Sequence, residues 1–476
     1  MKRVAFGVLM LCAVHAAQGE SPSSPPSTPE PSVRASAPVQ LRTGEEAGLR
    51  FTLKEAEAYA LANHPQIAAA NLNADAVRQE IREARSQFFP QVYAESDSVY
   101  APYDAKGEVQ TRIGAGGSLS NSSVYTRQSD GVTISQLLTD FGHTYELTES
   151  AHFRASAAED RVRFARAVVI LEVDRAYFDL LRAHAVLQVA NETVHTRQVA
   201  YDQISALAKN QLKSILDADF AQVNLSEAKL LLIQSQSGVS DAEAVLSTAM
   251  GFPDAQHFVL AEEPLDTNLP TSPEDLIQQA LHQRPELANL HNEEEAAQRF
   301  AKAQDAAQYP KISALAAAGV NPVAPGTEFH HNYYAAGINV EVPLFNGGNL
   351  SAQADEAHYL AEAAIKNLVD AQNTISRDVR QAWLSVSTAR ERLPVTAQLV
   401  QTAQEEEKLA NARYRLGTSS IVELTEAELN YTETQLQDTS ARYDFQSGCA
   451  VLNFAIGNDF PALSAGEVSS PLPSKP

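Results

Sequence analysis

The sequence predicts a mainly α-helical protein with a small β section, built twice from one kind of unit. Three observations carry this prediction. The chain repeats itself at a nearly fixed spacing, which is the signature of a duplicated architecture. Each repeat contains a pair of segments in which apolar and polar residues alternate, as they do in strands with two different faces. A much longer segment with apolar residues every three or four positions follows each pair, as in helices that pack along a seam.

The two ends of the chain are expected to lie outside this architecture. Residues 1–19 have the basic start, apolar run and small residues near the cleavage point that are typical of a secretory signal peptide. Residues 20–50 are rich in proline and serine and predict a flexible tail, and residues 461–476 predict a second one. The net charge of −23 disfavours nucleic acid as a partner.

The repeats cover residues 51–260 and 261–460. The correspondence is carried by three pairs of segments, namely 60–67 with 280–287, 89–92 with 309–312, and 214–215 with 420–421. The spacing falls from 220 to 206 residues after the second pair. The first repeat therefore carries an insertion of about 14 residues, around positions 107–123.

Each repeat begins with a short helix that ends before a proline, at His64 in the first repeat and at Arg284 in the second, because the residue before proline disfavours helix. A helix of about 23 residues then leads to the strands. The strand pairs are predicted at about 91–138 and 311–344. The alternation is clearest on one face of the last strand, formed by Ala336, Ile338, Val340, Val342 and Leu344.

A very long helix follows each strand pair. The second runs without a break to Gly417, about 68 residues or roughly 100 Å. Its apolar seam at heptad spacing consists of Ile365, Leu368, Ile375, Val379, Ala382, Val386, Ala389 and Leu393. A shorter helix of about 38 residues comes next, and with the helix of about 23 residues before the strands it roughly equals the long helix in length. We infer that two short helices stack end to end beside each long one.

The strand count argues for an assembly. After the signal peptide no segment approaches the run of about 18 apolar residues that a membrane helix needs, so a membrane-spanning form would have to be a closed β-barrel. Four strands per chain cannot close alone, since single-chain barrels need at least about eight. Three chains would supply about twelve strands and leave a lumen.

These features together resemble the TolC-type outer-membrane efflux protein family. The resemblance covers about residues 50 to 460 and is carried by the duplication, by Val-Pro-Leu-Phe-Asn-Gly-Gly at 342–348, and by Tyr-Arg-Leu-Gly-Thr-Ser-Ser-Ile-Val-Glu-Leu at 414–424. It implies a homotrimer in the cell outer membrane with one shared twelve-stranded barrel surrounded by lipid. A helical tunnel would extend into the periplasm and dock a periplasmic adaptor and an inner-membrane transporter. The expected function is the passive exit channel of a tripartite efflux pump or type I secretion system.

The resemblance also assigns residues to the periplasmic tip of the tunnel. Glu423 and Glu426 match the paired acidic residues of the family's pore constriction, and a spacing of three places them one turn apart on a helix. Three copies would form two carboxylate rings that favour cations. The competing interpretation of Glu423 is a charge stabilised by the dipole at a helix N-terminus.

A gate latch is implied between Tyr414 and Asp217. Two departures from the family pattern concern the same region, because Ser419 stands where the family has a latch arginine and Gln211 where a glycine is usual. These departures predict that the closed state is held differently in this chain. The residues expected to form the adaptor-docking tip are Gly417, Thr418, Ser419, Gln211, Leu212 and Lys213.

The alternatives are two other functional classes, a periplasmic adaptor and a coiled-coil scaffold. An adaptor needs further domains flanking one hairpin, and a scaffold does not need paired alternating strands. Catalytic residues, a metal site and a cofactor are not expected, since the one adjacent histidine pair, His330 and His331, lacks cysteine or spaced carboxylate partners.

Overall fold

A computed structural model of the protein describes residues 48–99, 127–265, 267–270, 272–323 and 332–458. The predicted signal peptide, nearly all of the predicted N-terminal tail, the insertion around 107–123, the predicted C-terminal tail, and the pair His330 and His331 lie outside these residues.

The two halves of the chain contain the same elements in the same order. The first half consists of β1 (Leu49–Phe51), α1 (Leu53–Asn63), α2 (Pro65–Ser86), β2 (Gln91–Val99), β3 (Arg127–Thr139), α3 (His143–Lys209) and α4 (Ile215–Ala249). The second half consists of β4 (Phe258–Leu260), α5 (Glu274–Gln283), α6 (Pro285–Ala306), β5 (Lys311–Val323), β6 (Asn332–Glu341), α7 (Asn349–Arg415) and α8 (Ile421–Ile456). The two long helices, α3 and α7, both have 67 residues.

The helix boundaries follow local sequence signals. Thr52 and Glu55 form a capping box at the start of α1, in which each side chain receives a backbone N–H of the other residue. Both α2 and α6 start on a proline, where the missing N–H is not needed. A Cβ placed on Gly251, just after α4, would lie 3.1 Å from the Cα of His64, so the end of α4 abuts the start of α2. This contact agrees with the inferred end-to-end stacking of the short helices.

Four strands form one antiparallel sheet in the order β2-β3-β5-β6. The central pairing of β3 with β5 joins the two halves of the chain. Both faces of β6 are largely exposed, and Tyr334 is 92% exposed. The predicted extent of this strand was wrong at its end, because β6 stops at Glu341 and leaves Val342 and Leu344 outside it. Pro343 has no N–H with which to continue the ladder.

A second, two-stranded sheet was not predicted. It pairs β1 with β4 in parallel, so that Leu49 and Arg50, assigned above to the flexible tail, belong to a strand. The buried Tyr177 of α3 donates its hydroxyl to the carbonyl of Ala261, directly after β4, at 2.6 Å. Trp383, its counterpart in α7, donates its indole N–H to the carbonyl of Pro270 at 3.0 Å.

The hydrophobic cores repeat the duplication. Core residues 206 positions apart are buried in both halves: Val173 with Val379, Ala176 with Ala382, Leu246 with Leu452, and Ala249 with Ala455. The middle of the predicted heptad seam, from Ile375 to Val386, is buried in the second core. Burial of such apolar side chains is the main favourable term in folding.

The helices pack across the two halves as well as within them. α3 lies against α2 and α4 of its own half and against α6 and α8 of the other, and α7 lies against α6 and α8. Each long helix begins at the four-stranded sheet and ends in a turn roughly 100 Å further along its axis. Within the described ranges, no helix combines the length and apolar composition required to cross a membrane.

Candidate functional site at the helical hairpin turns

The predicted site residues lie where the long helices turn back. We call α3 with α4 the first hairpin and α7 with α8 the second hairpin. The tip comprises residues 204–221 of the first hairpin and 410–427 of the second. Its two turns correspond at the spacing of 206 residues that relates the repeats.

The turn of the first hairpin requires a residue in the left-handed conformation. Gln211 adopts φ 61° there. The N–H of Leu212 donates to the carbonyl of Leu207 at 2.9 Å, and that of Gln211 donates to Ala208 at 3.0 Å, the pattern that closes a helix C-terminus. The hydroxyl of Ser214 then accepts from the N–H of Leu216 and caps α4. Gln211 occupies a conformation that glycine adopts without steric cost.

The turn of the second hairpin has the same hydrogen-bond pattern, with glycine at the position in the left-handed conformation. Gly417 has φ 75°. The N–H of Thr418 donates to the carbonyl of Arg413 at 2.9 Å, and Gly417 donates to Tyr414 at 3.0 Å. The hydroxyl of Ser420 accepts from the N–H of Glu423 at 3.2 Å and caps α8.

An apolar cluster holds the two hairpins together at the tip. Its buried members are Ile204, Ala221, Ala410, Tyr414, Ile421, Leu424 and Ala427. The cluster takes residues from all four helices, so the turns are packed against each other within one chain. Small alanines in three of the helices allow the backbones to approach closely.

The structure brings Tyr414 and Asp217 together. The tyrosine is only 5% exposed, and its hydroxyl donates to Oδ2 of Asp217 at 3.3 Å. Burial, the charge of Asp217 and the hydrogen bond to Asp217 together raise the pKa of Tyr414 to about 12, and burial is the largest of these causes. The hydroxyl therefore keeps its proton at neutral pH and remains a donor to the carboxylate.

Lys213 lies on the same tyrosine. Its Nζ is 4.0 Å from the centroid of the Tyr414 ring and 3.4 Å from the Tyr414 carbonyl oxygen, near the C-terminal end of α7. A cation in this position interacts favourably with the ring face and with the negative end of the helix dipole. Lys213 was predicted at the adaptor-docking tip, and its part in docking stays a prediction; in the structure its charge lies at the contact between the hairpins.

The two glutamates predicted at the constriction have different surroundings. The carboxylate of Glu423 lies 2.5 Å from Nη1 of Arg413, in the last turn of α7. Glu426 is exposed one turn further along α8, and among the described residues its carboxylate has no hydrogen bond or ion pair. Glu423 is thus partly neutralised within the second hairpin by Arg413, a residue that was not predicted from the sequence.

The other residues predicted at the docking tip are accessible. Gln211, Gly417 and Thr418 are exposed, Leu212 is 70% exposed, and Ser419 is partly buried. The apolar side chain of Ile215 beside them is 77% exposed. In the described part of the chain, no group of three histidine, cysteine, aspartate or glutamate side chains is arranged to hold a metal ion.

Further polar contacts between the hairpins, not predicted from the sequence, lie close to the tip. Arg197 of α3 and Glu428 of α8 form an ion pair at 2.9 Å, with side chains that are 7% and 9% exposed. Asn224 of α4 donates to the hydroxyl of Thr425 on α8 at 2.8 Å. The sequence does contain a signal for the ion pair between Arg197 and Glu428. Glu428 follows the apolar Leu424 by four residues, so its charge falls on the apolar face of the helix.

Comparison with known proteins identifies relatives over most of the chain. A family model described as "Outer membrane efflux protein" matches residues 58–252 and 276–458. The toluene efflux pump outer membrane protein TtgC of Pseudomonas putida is 24% identical over 426 residues, covering 87% of this chain and 86% of that protein. The cation efflux system protein CusC of Escherichia coli is 22% identical over 407 residues, covering 84% of each.

A solved structure has the same fold. The outer membrane protein VceC of Vibrio cholerae superposes with a TM-score of 0.70 at 18% identity, covering 85% of this chain and 96% of that one.

Proposed function

This chain belongs to the outer membrane efflux protein family, and we propose that it forms the outer-membrane exit channel of a tripartite efflux pump or type I secretion system. The channel would be a passive conduit without a catalytic step. It would extend from the outer membrane into the periplasm and open or close at the tip of its helical hairpins.

The observation that carries the proposal is the position of the sheet relative to the tip. Each chain offers a four-stranded sheet at one end of α3 and α7 and two packed turns at the other. Within the described residues, β2 and β6 are edge strands with one side unpaired. Three chains pairing through these edges would close a barrel of about twelve strands with a lumen, and the helices would continue it as a tunnel.

This arrangement disfavours the two alternatives considered from the sequence. A periplasmic adaptor would place one helical hairpin between other domains, whereas this chain has two equivalent hairpins joined to one sheet. A coiled-coil scaffold would give no role to a sheet whose last strand exposes both faces.

The gate would act through contacts between the two hairpins. Tyr414 with Asp217 is the proposed latch, since their bond must break when α7 and α8 move away from α4. Glu423 and Glu426 would ring the constriction in a trimer and favour cations. Because Arg413 compensates the first of them, Glu426 would supply most of the effective charge.

The exposed turns are the proposed docking surface for a periplasmic adaptor, which would connect the channel to an inner-membrane transporter. Exposed apolar side chains next to polar turn residues, such as Leu212 and Ile215, suit a protein partner. The conduit itself would impose little choice of cargo. Relatives of similar identity are named for toluene and for cations, so cargo selection would rest with the transporter.

The test is purification from outer-membrane fractions followed by reconstitution. We expect a trimer that resists SDS and conducts ions in planar bilayers. A monomer in the soluble fraction that gives no conductance would refute the channel proposal. Co-purification of a periplasmic adaptor and an inner-membrane transporter with the chain from native membranes tests the partner assignment separately.

A further inference from the structure

We propose that Arg197 and Glu428 form a second tie between the two hairpins, deeper than the turns, which must separate before the tip can widen. The inference rests on the proposed function in one respect, namely that the tip opens. It adds a residue pair to which the sequence analysis assigned no role.

The geometry of the pair is that of a cross-hairpin link. Arg197 belongs to α3 and Glu428 to α8, so the bond joins the two halves of the chain. The guanidinium and carboxylate are 2.9 Å apart and both side chains are more than nine-tenths buried. The polar contact between Asn224 and Thr425 lies about one turn nearer to the start of α8.

Because both side chains are buried, each charge needs the other to offset the cost of its removal from water. Burial raises the pKa of the Glu428 carboxyl above its usual value, while the charge of Arg197 acts to lower it and the neighbouring Glu407 to raise it. Removing either partner would leave an uncompensated charge in the interface between the hairpins. The desolvation cost of such a charge falls when the hairpins separate and water hydrates it, so an uncompensated charge favours the open arrangement.

Space for that water is already present beside the pair. A cavity of about 340 Å³ borders α4 and α8, and another of about 240 Å³ borders α7 and α8. Arg197 and Thr432 line both cavities. The second cavity, which Arg197 and Glu428 both line, is large enough for several water molecules, which occupy about 30 Å³ each in the liquid. The ions can therefore be hydrated after a small movement of α8, which suits a contact that opens and closes.

The position of the pair gives the gate two levels. Glu428 lies seven residues beyond the start of α8, roughly 10 Å along the helix axis. Tyr414 and Asp217 act at the turns themselves. A movement that breaks only the latch would loosen the turns, whereas separation at Arg197 would let the hairpins diverge over a longer stretch.

The chain provides a matched control. Arg182 of α3 and Asp444 of α8 form another ion pair between the same two helices, at 3.3 Å, with side chains that are 39% and 40% exposed. Exposed ion pairs of this kind contribute little to the stability of the packed helices. Arg182→Met therefore removes a cross-hairpin charge without leaving a buried one.

The experiment compares Arg197→Met, Glu428→Gln, the double variant Arg197→Met/Glu428→Met, and Arg182→Met in planar bilayers. We expect at least a tenfold rise in mean conductance for each single change at the buried pair. The double variant should return to within about twofold of the wild type, because neither charge is left alone. Arg182→Met should behave as the wild type.

Amide hydrogen exchange over residues 421–428 gives a second measurement that does not depend on conduction. Faster exchange in the single variants and its reversal in the double variant would support the tie, even if the wild type proved not to be a channel. Unchanged exchange and conductance in SDS-resistant single variants would overturn it. A double variant as open as the single ones would also overturn it, since the side chains would then act through packing alone. If Arg197→Met fails to assemble, the conductance and amide exchange of the nearly isosteric Glu428→Gln variant decide whether the proposed tie exists.

Discussion

The Tyr414→Phe substitution tests the proposed latch with the smallest possible change. It removes the hydroxyl that donates to Asp217 and keeps the buried ring that packs in the tip cluster. Hydrogen bonds to a charged group contribute about 1.5–3 kcal/mol. At 3.3 Å, and with Asp217 only partly buried, this one belongs below that range, at about 1 kcal/mol.

A trimer multiplies the effect. Three chains that open together would lose about 3 kcal/mol of closed-state stabilisation, which corresponds to a shift of about a hundredfold in the ratio of open to closed channels. The assay is single-channel recording in planar bilayers, with the open probability of the variant compared with that of the wild type. SDS resistance of the trimer verifies that assembly is unchanged.

Tyr431→Phe is the matched control. Its hydroxyl accepts from Gln404 at 3.2 Å, a bond between α8 and α7 that stays within the second hairpin. Loss of that bond should leave the open probability within about twofold of the wild type. An equal response of the two variants would refute the reasoning, and so would an unchanged open probability for Tyr414→Phe in an intact trimer.

The remaining predictions concern the constriction and the first turn. The double change Glu423→Ala/Glu426→Ala should reduce cation preference, measured as a shift of the reversal potential in a salt gradient; an unchanged potential would remove both residues from the constriction. Arg413→Met should increase cation preference by releasing the charge of Glu423, and a decrease would contradict the ion pair as its cause. Gln211→Gly should relieve the left-handed strain and stabilise the turn by up to about 1 kcal/mol, seen as roughly fivefold slower exchange of the amide that closes it. Gly417→Gln should do the opposite at the second turn, and equal exchange in both variants and the wild type would show that the turns tolerate either residue.

Much of the fold follows from the sequence because its signals are local. Proline sets the starts of α2 and α6, alternation marks the strands, and the middle of the heptad seam in α7 becomes a buried stripe. The resemblance to an outer-membrane efflux family is confirmed by the family match, and the fold class by the superposition. The short parallel pairing of β1 with β4 was missed, since three-residue strands have too few positions to show alternation.

The site was predicted less completely than the fold. The correspondence between repeats located both turns, and the resemblance named Tyr414 and Asp217, which the structure places in contact. That this contact gates a channel stays a prediction. The direction of Lys213 could not be predicted, because a residue in a turn between helices has no periodicity that assigns it to a face.

By itself, then, the sequence determined which segments form the longer helices and strands, that the chain is duplicated, and where the turns between the long helices fall. Periodicity and the glycine and proline signals depend on residues that are close together in the sequence, so they can be recognised from the sequence alone. The tertiary structure alone decided which elements meet, as in the pairing of β3 with β5 and the burial of Arg197 against Glu428, 231 positions away. The packing of side chains sets the rotation of α3 relative to α8. The periodicity of one helix does not predict which face of the other helix contacts it.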